Sequence, residues 1–319
     1  MKKITFICPY FGTLPKDIMP LWLNCCKYNA TIEWIIFTDD RTLYNYPENV
    51  KVVFTTLSEV KKYAQGLFSF AISLDTPYKL CDYKPLYGSI FKDYLRECDF
   101  WGHCDISDSI FGNLRKFFVD DILENYDKIL FLGHMTLYRN TDEINNRFKI
   151  MTKSGIKLEE IFGVAENKAF DELTRYSINT IYTENNFSLK RIDDMYIDVT
   201  CLSYPFKRST YDDMYRHNSY ENIPRVFYWS KGELFDCTYQ NGVVKKTEVG
   251  YVHFQKRKMK KFIGDDCEAY YIVPNGFIED TRNIEDIIKD NSKSKLFYKP
   301  FWVNKGRALK YRIKHMFSD

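Results

Sequence analysis

The chain has 319 residues, 45% of them hydrophobic, so it can bury one large core in a single elaborated domain or in two small ones. The 46 Lys and Arg against 43 Asp and Glu leave a net charge of +3, too small to indicate a nucleic-acid-binding protein. No stretch approaches the roughly 20 apolar residues of a membrane-spanning helix, and nine cysteines without a C-x-x-C spacing predict free thiols in a reducing compartment.

The first 55 residues predict an α/β fold with a mostly parallel sheet. Short β-rich apolar runs at residues 3–8, 32–38 and 50–55 alternate with a loop and an apolar helical stretch at residues 19–26. Ligands of parallel sheets bind beyond the carboxyl ends of the strands. We therefore expect Tyr10, Phe11, Asp39 and Asp40, which follow the first two runs, to lie where a nucleotide would bind.

Residues 77–88 carry alternating charges, although their other side chains are typical of a segment that packs in a core. Apolar residues at helical spacing continue to residue 95. Lys79, Asp82 and Lys84 could contact the ribose hydroxyls and phosphate of a nucleotide, or they could form a set of surface salt bridges. The pattern leaves both interpretations open.

An acidic cluster follows the next apolar strand. Asp105 and Asp108 flank Ile106 and Ser107, and two carboxylates at a strand end could bind Mg²⁺ or Mn²⁺ together with the diphosphate of a sugar nucleotide. The alternative is that the two aspartates cap the turn or helix that follows.

The middle of the chain is more polar. An apolar strand at residues 128–132 is closed by Gly133 and His134, and residues 140–197 have the mixed character of helices and loops that shape a second substrate's pocket. Asp171 and Glu172 could bind acceptor hydroxyls or act as a general base, although acidic pairs are often only solvated.

Strands are predicted at residues 225–230, 233–239 and 249–254, with a turn at residues 240–242. His253 lies on the opposite face of its strand from Val252. It could complete a metal site while Lys256 or Arg257 stabilises a departing diphosphate. A hydrogen-bonded histidine followed by a solvated basic loop is the alternative.

The last segment, residues 293–315, has eight Lys or Arg, no acidic residue and several interleaved aromatic residues. This composition predicts contact with an anionic membrane surface, whereas a tail that packs on its own domain is the alternative. We therefore divide the chain into a catalytic domain at residues 1–262 and an extension at residues 263–319 that carries the tail.

Seven segments together resemble a bacterial domain family of unknown function that is encoded in capsule and surface-polysaccharide loci and related to GT-A glycosyltransferases. They cover the chain in order from its start to about residue 259. The segments are ICPYFG (7–12), FTDD (37–40), PYKLCDYKPLYG (77–88), FWGHCDISDSIFGNLRKF (100–117), GHMTLYRN (133–140), AFDE (169–172) and YVHFQKRKM (251–259).

The resemblance implies a GT-A-like fold, a nucleoside diphosphate sugar donor, with a UDP-sugar expected, and a D-x-D-type metal motif at residue 105. Here the motif reads D-I-S-D, so either Ser107 or Asp108 is the second ligand. By the same resemblance His253 is the late third ligand of Mn²⁺ or Mg²⁺. Asp39 and Asp40 lie near the base or ribose, with Tyr10 nearby.

Together these features predict a cytoplasmic, metal-dependent hexosyltransferase, peripheral to the inner face of the plasma membrane. It would transfer a sugar to a lipid-linked or growing surface-polysaccharide acceptor, with Asp171, Glu172 and His134 at the acceptor. A sugar-phosphate nucleotidyltransferase or phosphotransferase is one alternative, although no Gly-rich phosphate loop is present. A non-catalytic carbohydrate-binding protein on a decayed fold is the other.

Overall fold

A computed structural model describes residues 1–212, 217–295, 298–303 and 306, and the chain divides into two compact units. Unit 1 comprises Met1–Ser109 and Asn113–Asp193, and unit 2 comprises Ile110–Gly112 and Asp194–Asp319. The domain boundary predicted after residue 262 falls inside unit 2.

Unit 1 is an α/β structure built on a sheet whose strands are mainly parallel. Its elements, with the strand that leads into unit 2, are β1 (Ile4–Tyr10), α1 (Met19–Tyr28), β2 (Ile32–Thr38), β3 (Val50–Phe54), α2 (Leu57–Gln65), α3 (Leu80–Tyr83), α4 (Tyr87–Ile90), β4 (Phe100–Cys104), β5 (Ser109–Phe111), α5 (Asp120–Asn125), β6 (Lys128–Ile129), β7 (Met135–Arg139), α6 (Asp142–Asn145), α7 (Leu158–Phe162), α8 (Ile178–Glu184) and β8 (Leu189–Lys190).

The described residues of unit 1 form a seven-stranded sheet in the order β3-β2-β1-β4-β7-β6-β8. β1 pairs in parallel with β2 and with β4, and β2 pairs in parallel with β3. β7 runs antiparallel to β4 and β6, and β8 is parallel to β6. The predicted α/β fold class, with a mostly parallel sheet flanked by helices, is confirmed.

Both faces of the central strands are covered by apolar packing, as parallel sheets require. On one face the ring of Phe6 stacks on Trp34 at 5.8 Å, and Trp22 of α1 meets Trp34 edge-on at 6.3 Å. On the other face Ile7 belongs to a core cluster that includes Val60 of α2 and residues of α4. Successive side chains of a strand point to opposite faces, so the continuous apolar run of β1 fills both layers.

Local chemistry explains where several helices begin and end. Thr56 and Glu59 form a capping box at the start of α2, in which the Glu59 N–H donates to Thr56 Oγ1 at 3.2 Å and the Thr56 N–H donates to Glu59 Oε2 at 2.9 Å. The continuous helix expected at residues 80–95 is instead broken into the short helices α3 and α4. Pro85 lies between them and lacks the N–H that a continuous helix needs.

The strand expected at residues 128–132 is also shorter than predicted. β6 ends at Ile129 because Leu130 adopts a φ of 67°, outside the β region.

Unit 2 is mainly β-structure and includes an eight-residue helix. Its elements are β9 (Tyr196–Asp198), β10 (Arg208–Tyr211), β11 (His217–Glu221), β12 (Arg225–Ser230), β13 (Glu233–Gln240), β14 (Val243–Glu248), β15 (Tyr251–His253), β16 (Lys260–Lys261), β17 (Ala269–Val273), β18 (Gly276–Ile278) and α9 (Ile284–Asn291).

Within the described part of unit 2, six strands form a sheet in the order β14-β13-β12-β17-β18-β16. A separate sheet joins β5, β15 and β9, and β10 pairs with β11. Ile287 and Ile288 of α9 pack into a core cluster with Val226 of β12. The predicted turn between β13 and β14 is confirmed, with positive φ at Asn241 (52°) and Gly242 (80°).

Much of the predicted basic aromatic tail, at residues 296–297, 304–305 and 307–319, lies outside the described residues. The described portion contacts its own unit, since the ring of Tyr298 lies 5.8 Å from that of Tyr204 and Lys295 Nζ lies 3.8 Å over the Tyr204 ring. Trp302 is 56% exposed. None of the described helices combines the length and apolar character needed to cross a bilayer. All nine cysteines are free thiols, as predicted.

A buried lysine in β6 should make stability depend on pH. Lys128 is fully buried, its Nζ donates to Leu130 O at 2.8 Å, and burial lowers the pKa of its ammonium group to about 7. The folded chain therefore binds this proton less tightly than the unfolded chain, so the cost of burial is greatest below pH 7 and declines as pH rises toward 10.

Replacing the charge tests this effect. Between pH 7 and 9 the free energy of unfolding of the wild type should rise by about 2 kcal/mol more than that of Lys128→Met. Urea denaturation at the two pH values measures the difference. Lys153→Met, at an exposed position, is the control and should follow the wild type. Equal pH dependence in wild type and Lys128→Met would contradict the prediction.

Candidate functional site

The carboxyl ends of β1, β2 and β4 lie at one edge of the sheet of unit 1. In the parallel register Tyr10 pairs with Thr38, and β1 also pairs with β4, which ends immediately before Asp105. Tyr10, Asp39, Asp40 and Asp105 therefore follow neighbouring strands, as the sequence predicted.

Asp39 and Asp40 bind the loop between β1 and α1. The Gly12 N–H donates to Asp39 Oδ1 and the Leu14 N–H donates to Asp40 Oδ2, each at 2.7 Å. Gly12 has a φ of 99°, a conformation that favours glycine. Hydrogen bonds from the Thr42 hydroxyl and from the Leu14 and Thr42 N–H groups lower the pKa of Asp40. These contacts make the two carboxylates part of the loop's own structure.

The acidic cluster after β4 presents oxygen atoms at the same edge. Asp105, Ser107 and Asp108 are half-buried whereas Ile106 is buried, so the apolar side chain anchors the turn. The Ser109 hydroxyl donates to the Asp105 carbonyl and closes it. Burial raises the pKa of Tyr10, and the charges of Asp108 and Asp40 raise it further, so both carboxylates act on this phenol.

Lys84 connects the acidic cluster to the rest of unit 1. Its Nζ donates to Asp105 Oδ1 at 2.7 Å and to the Gly133 carbonyl at 2.8 Å, and lies 3.7 Å from Asp171 Oδ2. Burial disfavours the ammonium charge, but the carboxylates of Asp105 and Asp171 outweigh it and the pKa of Lys84 is raised. Lys84 thus forms salt bridges, as one of the two sequence interpretations expected, and its contact with a nucleotide stays a prediction.

Asp171 and Glu172 approach the same cluster through Gly133. The Gly133 N–H donates to Glu172 Oε1 at 3.3 Å, and the His134 carbonyl accepts from the Asp105 N–H at 3.1 Å. Burial raises the pKa of Asp171 well above its usual range, the Lys84 charge opposes the shift, and Glu172 and Asp105 add to it. Two of the predicted site carboxyl groups, those of Asp105 and Asp171, thus contact one lysine in unit 1, and Glu172 bonds the neighbouring Gly133 N–H.

Lys79, Asp82 and Phe11 are placed differently from the sequence interpretation. Lys79 and Asp82 form an ion pair of 2.8 Å, and their side chains are 1% and 0% exposed. Lys79 also donates to the Ile161 and Glu166 carbonyls, at 2.8 Å and 2.6 Å.

Phe11 packs in the apolar core of unit 1. A ribose or phosphate group could reach Lys79, Asp82 or Phe11 only if the present contacts of these side chains opened. We therefore correct their assignment to nucleotide binding. The salt bridge foreseen as the alternative is present but buried.

Unit 2 contains a second polar cluster around a buried carboxylate. Asp198 is 2% exposed, and its Oδ1 lies 2.8 Å from His253 Nδ1. The Tyr211 hydroxyl donates to Asp198 Oδ2 at 2.7 Å, and Gln255 Nε2 donates to Oδ2 at 3.0 Å and Oδ1 at 3.2 Å. His253 is therefore a residue of β15 hydrogen-bonded to Asp198 of β9, which in turn accepts from Tyr211 and Gln255.

Arg257, which was expected to stabilise a diphosphate, is committed to the fold of unit 2. It is 4% exposed, and its guanidinium donates to the Thr200, Ser203 and Tyr204 carbonyls at 2.7, 2.6 and 2.9 Å. We therefore correct this assignment, because those bonds occupy the guanidinium edge that would bind phosphate. Lys256, the other candidate, is exposed directly beyond β15.

The sequence model of a family of unknown function, DUF6625, matches residues 6–281. The chain belongs to this family. The match begins in β1 and ends before α9, so the DUF6625 region includes both polar clusters. No protein with a curated description matches the chain significantly.

Solved structures similar to this DUF6625 chain include three glycosyltransferases. The galactosyltransferase LgtC, solved with donor and acceptor sugar analogues, is 10% identical over 61% of this chain and 75% of that chain, with a TM-score of 0.35. GlyE of Streptococcus pneumoniae TIGR4 is 14% identical over 61% and 46%, with a TM-score of 0.33. Mouse xyloside xylosyltransferase 1 in its apo form is 8% identical over 62% and 88%, with a TM-score of 0.35.

The sequence interpretation missed Asp198, Tyr211 and Gln255. Asp198 ends a three-residue strand whose partner lies more than 50 residues away, and only the pairing of β9 with β15 brings it to His253. A strand that ends in an aspartate was used as a signal at Asp105. The same signal in YID, residues 196–198, would have identified Asp198 in this DUF6625 chain.

Gly133 leaves no room for a side chain beside the acidic cluster. A Cβ at this position would overlap Asp171 Oδ2 and lie 2.8 Å from Glu172 Oε1. Gly133→Ala should therefore lower the free energy of unfolding by about 1–3 kcal/mol, because the carboxylates must move away from Lys84.

Urea denaturation measures the effect of Gly133→Ala. Gly264→Ala is the matched control, since a Cβ there meets no atom within 4 Å. Equal losses in the two variants would show that Gly133 is not constrained by the cluster.

Proposed function

We propose that this protein is a metal-dependent glycosyltransferase that transfers a sugar from a nucleoside diphosphate donor to a carbohydrate acceptor. One observation carries the proposal: Asp105, Asp108, Tyr10 and Lys84 gather at the carboxyl edge of a mostly parallel sheet. That edge is where nucleotides bind in open α/β sheets. The resemblance of the surrounding motifs to a GT-A-related family supports the same reaction.

The ligand atoms in the acidic cluster suit a hard divalent cation. Asp105, Ser107 and Asp108 offer carboxylate and hydroxyl oxygens on half-buried side chains, and Mg²⁺ and Mn²⁺ prefer such oxygens together with substrate phosphates. Either ion, when bound, would neutralise charge on the diphosphate leaving group. The expectation that His253 supplies a further ligand stays a prediction, supported by its carboxylate partner Asp198.

Lys84 and Tyr10 supply polar hydrogens for the donor. The raised pKa values of both groups keep the ammonium and the phenol protonated at neutral pH. A protonated lysine binds phosphate oxygens through charge-assisted hydrogen bonds, and the Tyr10 hydroxyl can donate to the nucleotide. Lys256 is a further exposed cation, in unit 2, that can pair with phosphate. We propose a UDP-sugar as the donor, bound in unit 1 through Lys84 and Tyr10.

Asp171, Glu172 and His134 are proposed to position the acceptor. The raised pKa of Asp171 favours the protonated carboxyl, which donates a hydrogen bond to a sugar oxygen. Glu172 can accept the proton of an attacking hydroxyl if the reaction inverts the anomeric centre. In line with the resemblance, we propose a lipid-linked or growing surface-polysaccharide acceptor.

Asp105→Asn tests the function. The substitution removes a charged oxygen that binds the cation while keeping the shape of the side chain. It should lower Mn²⁺-stimulated hydrolysis of UDP-sugars by about 10²–10³-fold. The measurement is UDP release from a panel of UDP-sugars with and without Mn²⁺. Asp120→Asn, an exposed aspartate in the first turn of α5, is the control and should retain full activity.

Three outcomes would contradict the proposal in different ways. Wild-type turnover by Asp105→Asn would remove Asp105 from the reaction. Formation of a nucleotide sugar from a nucleoside triphosphate and a sugar phosphate would indicate a nucleotidyltransferase. Nucleotide binding without turnover in any acceptor panel would favour a non-catalytic carbohydrate-binding protein.

We further propose that the protein works at the inner face of the plasma membrane, which fits a lipid-linked acceptor. The described tail residues Lys295, Lys299 and Trp302 are exposed, and basic and aromatic side chains of this kind bind anionic lipid interfaces.

Trp302→Ala should lower the fraction of protein bound to phosphatidylglycerol vesicles several-fold, because the exposed indole can no longer enter the interface. Co-sedimentation with phosphatidylglycerol and with phosphatidylcholine vesicles measures this fraction. Phe262→Ala removes another exposed aromatic side chain, 68% exposed and outside the tail, and should bind like the wild type. Equal binding by both variants would refute the role of the tail.

A further inference from the structure

We infer that Asp198 and Gln255 hold His253 as the tautomer protonated at Nδ1, so that Nε2 carries the lone pair. Asp198 is then a positioning residue for His253. The tautomer and orientation of His253 are inferred from contacts within unit 2, whereas the use of Nε2 in cation binding rests on the proposed function.

The register of two short strands places the carboxylate beside the imidazole. β9 and β15 are parallel, and Asp198 is the direct partner of His253 in the pairing. Adjacent partners in a sheet project to the same face, so the two side chains meet. The Val199 N–H donates to the His253 carbonyl at 2.9 Å, which ties the two strand ends together just past the pair.

The amide of Gln255 determines which role the carboxylate takes. Gln255 Oε1 accepts from the Cys201 N–H at 3.3 Å, so Nε2 is the amide atom that faces Asp198. Nε2 can only donate, and it approaches both Asp198 oxygens, at 3.2 Å and 3.0 Å. Asp198 therefore acts as an acceptor, and the Tyr211 hydroxyl adds a further donor at 2.7 Å.

The tautomer of His253 follows from these hydrogen bonds to Asp198. An ionised carboxylate has no hydrogen to donate, so the 2.8 Å contact with Nδ1 requires the hydrogen to be on the ring nitrogen. A neutral imidazole protonated at Nδ1 has its lone pair on Nε2. Metal-binding histidines commonly donate their other N–H to a carboxylate in this manner.

The backbone at Gln255 indicates that this orientation is maintained at a conformational cost. Gln255 has a φ of 53°, in the left-handed region that residues with a Cβ seldom adopt. Such a conformation persists only where its surroundings hold it. Here the amide of Gln255 joins Asp198 to the backbone of Cys201, and β15 ends two residues earlier at His253.

The test reads the tautomer directly. In full-length protein labelled with ¹⁵N-histidine, the ring-nitrogen shifts at pH 8.5 report which nitrogen is protonated. Among the five histidine signals, that of His253 is identified by its loss in His253→Gln. We expect the wild type to show His253 protonated at Nδ1. A signal protonated at Nε2 would overturn the inference without recourse to any further variant.

Asp198→Asn provides the second arm. The asparagine carbonyl can still accept from Gln255 or Tyr211, so its NH₂ group faces His253 and the hydrogen should move to Nε2. The dissociation constant for Mn²⁺ in the presence of UDP, measured by calorimetry, should rise about 10–100-fold. Tyr211→Phe keeps the carboxylate and the amide and should keep the tautomer. Asp266→Asn, at an exposed position, should change neither readout.

The outcomes separate this inference from the proposed function. If Asp198→Asn leaves the tautomer or the Mn²⁺ affinity unchanged while the wild type hydrolyses UDP-sugars, Asp198 is not the positioning residue and the transferase assignment survives. If the tautomer moves as expected but no variant or wild type shows metal-dependent donor hydrolysis, the orientation stands and the transferase assignment fails.

Discussion

The parallel pairing of β1 with β2 and β4 is the constraint from which the polar edge of unit 1 follows. Because the three strands point the same way, Tyr10, Asp40 and Asp105 arrive at one edge although they are far apart in the chain. Packing on both faces sustains the pairing, with Phe6 on one side and Ile7 on the other. The apolar packing of the sheet thus fixes the positions of these polar groups, and direct contacts among them are not needed for this.

A single ammonium group then governs the charges at that edge. Lys84 bonds Asp105 and the Gly133 carbonyl, so it joins the end of β4 to the turn before β7. Burial disfavours charge on both groups, but the Asp105 carboxylate outweighs burial at Lys84 and its pKa is raised. At Asp171 burial is the largest influence and raises the pKa although the Lys84 charge opposes the shift. The edge therefore combines the Lys84 ammonium, the Asp105 carboxylate and the Asp171 carboxyl group, whose pKa is raised, within one cluster.

How much of this arrangement the sequence predicts depends on the range of the interactions. The ends of β1, β2 and β4 could be predicted because apolar runs and the polar residues after them are local signals. The burial of Lys79 and Arg257 could not, since it depends on carbonyl groups supplied by distant segments. The strand-end pattern at residues 196–198 could have indicated Asp198 itself, but not its pairing with His253, which is set by strand pairing across more than 50 residues.

Buried aspartates orient the polar groups of each unit by accepting several hydrogen bonds at once. In unit 1 Asp82 accepts from the Lys168 and Phe170 N–H groups at 2.9 Å and 3.0 Å, which fixes the segment that leads directly to Asp171. In unit 2 Asp198 likewise orients His253, but here the carboxylate contacts the imidazole side chain and not backbone N–H groups. Because a buried carboxylate tolerates few unsatisfied positions, each rigidifies its neighbours. Asp82 thus contributes to the site by placing Asp171, although no ligand reaches it.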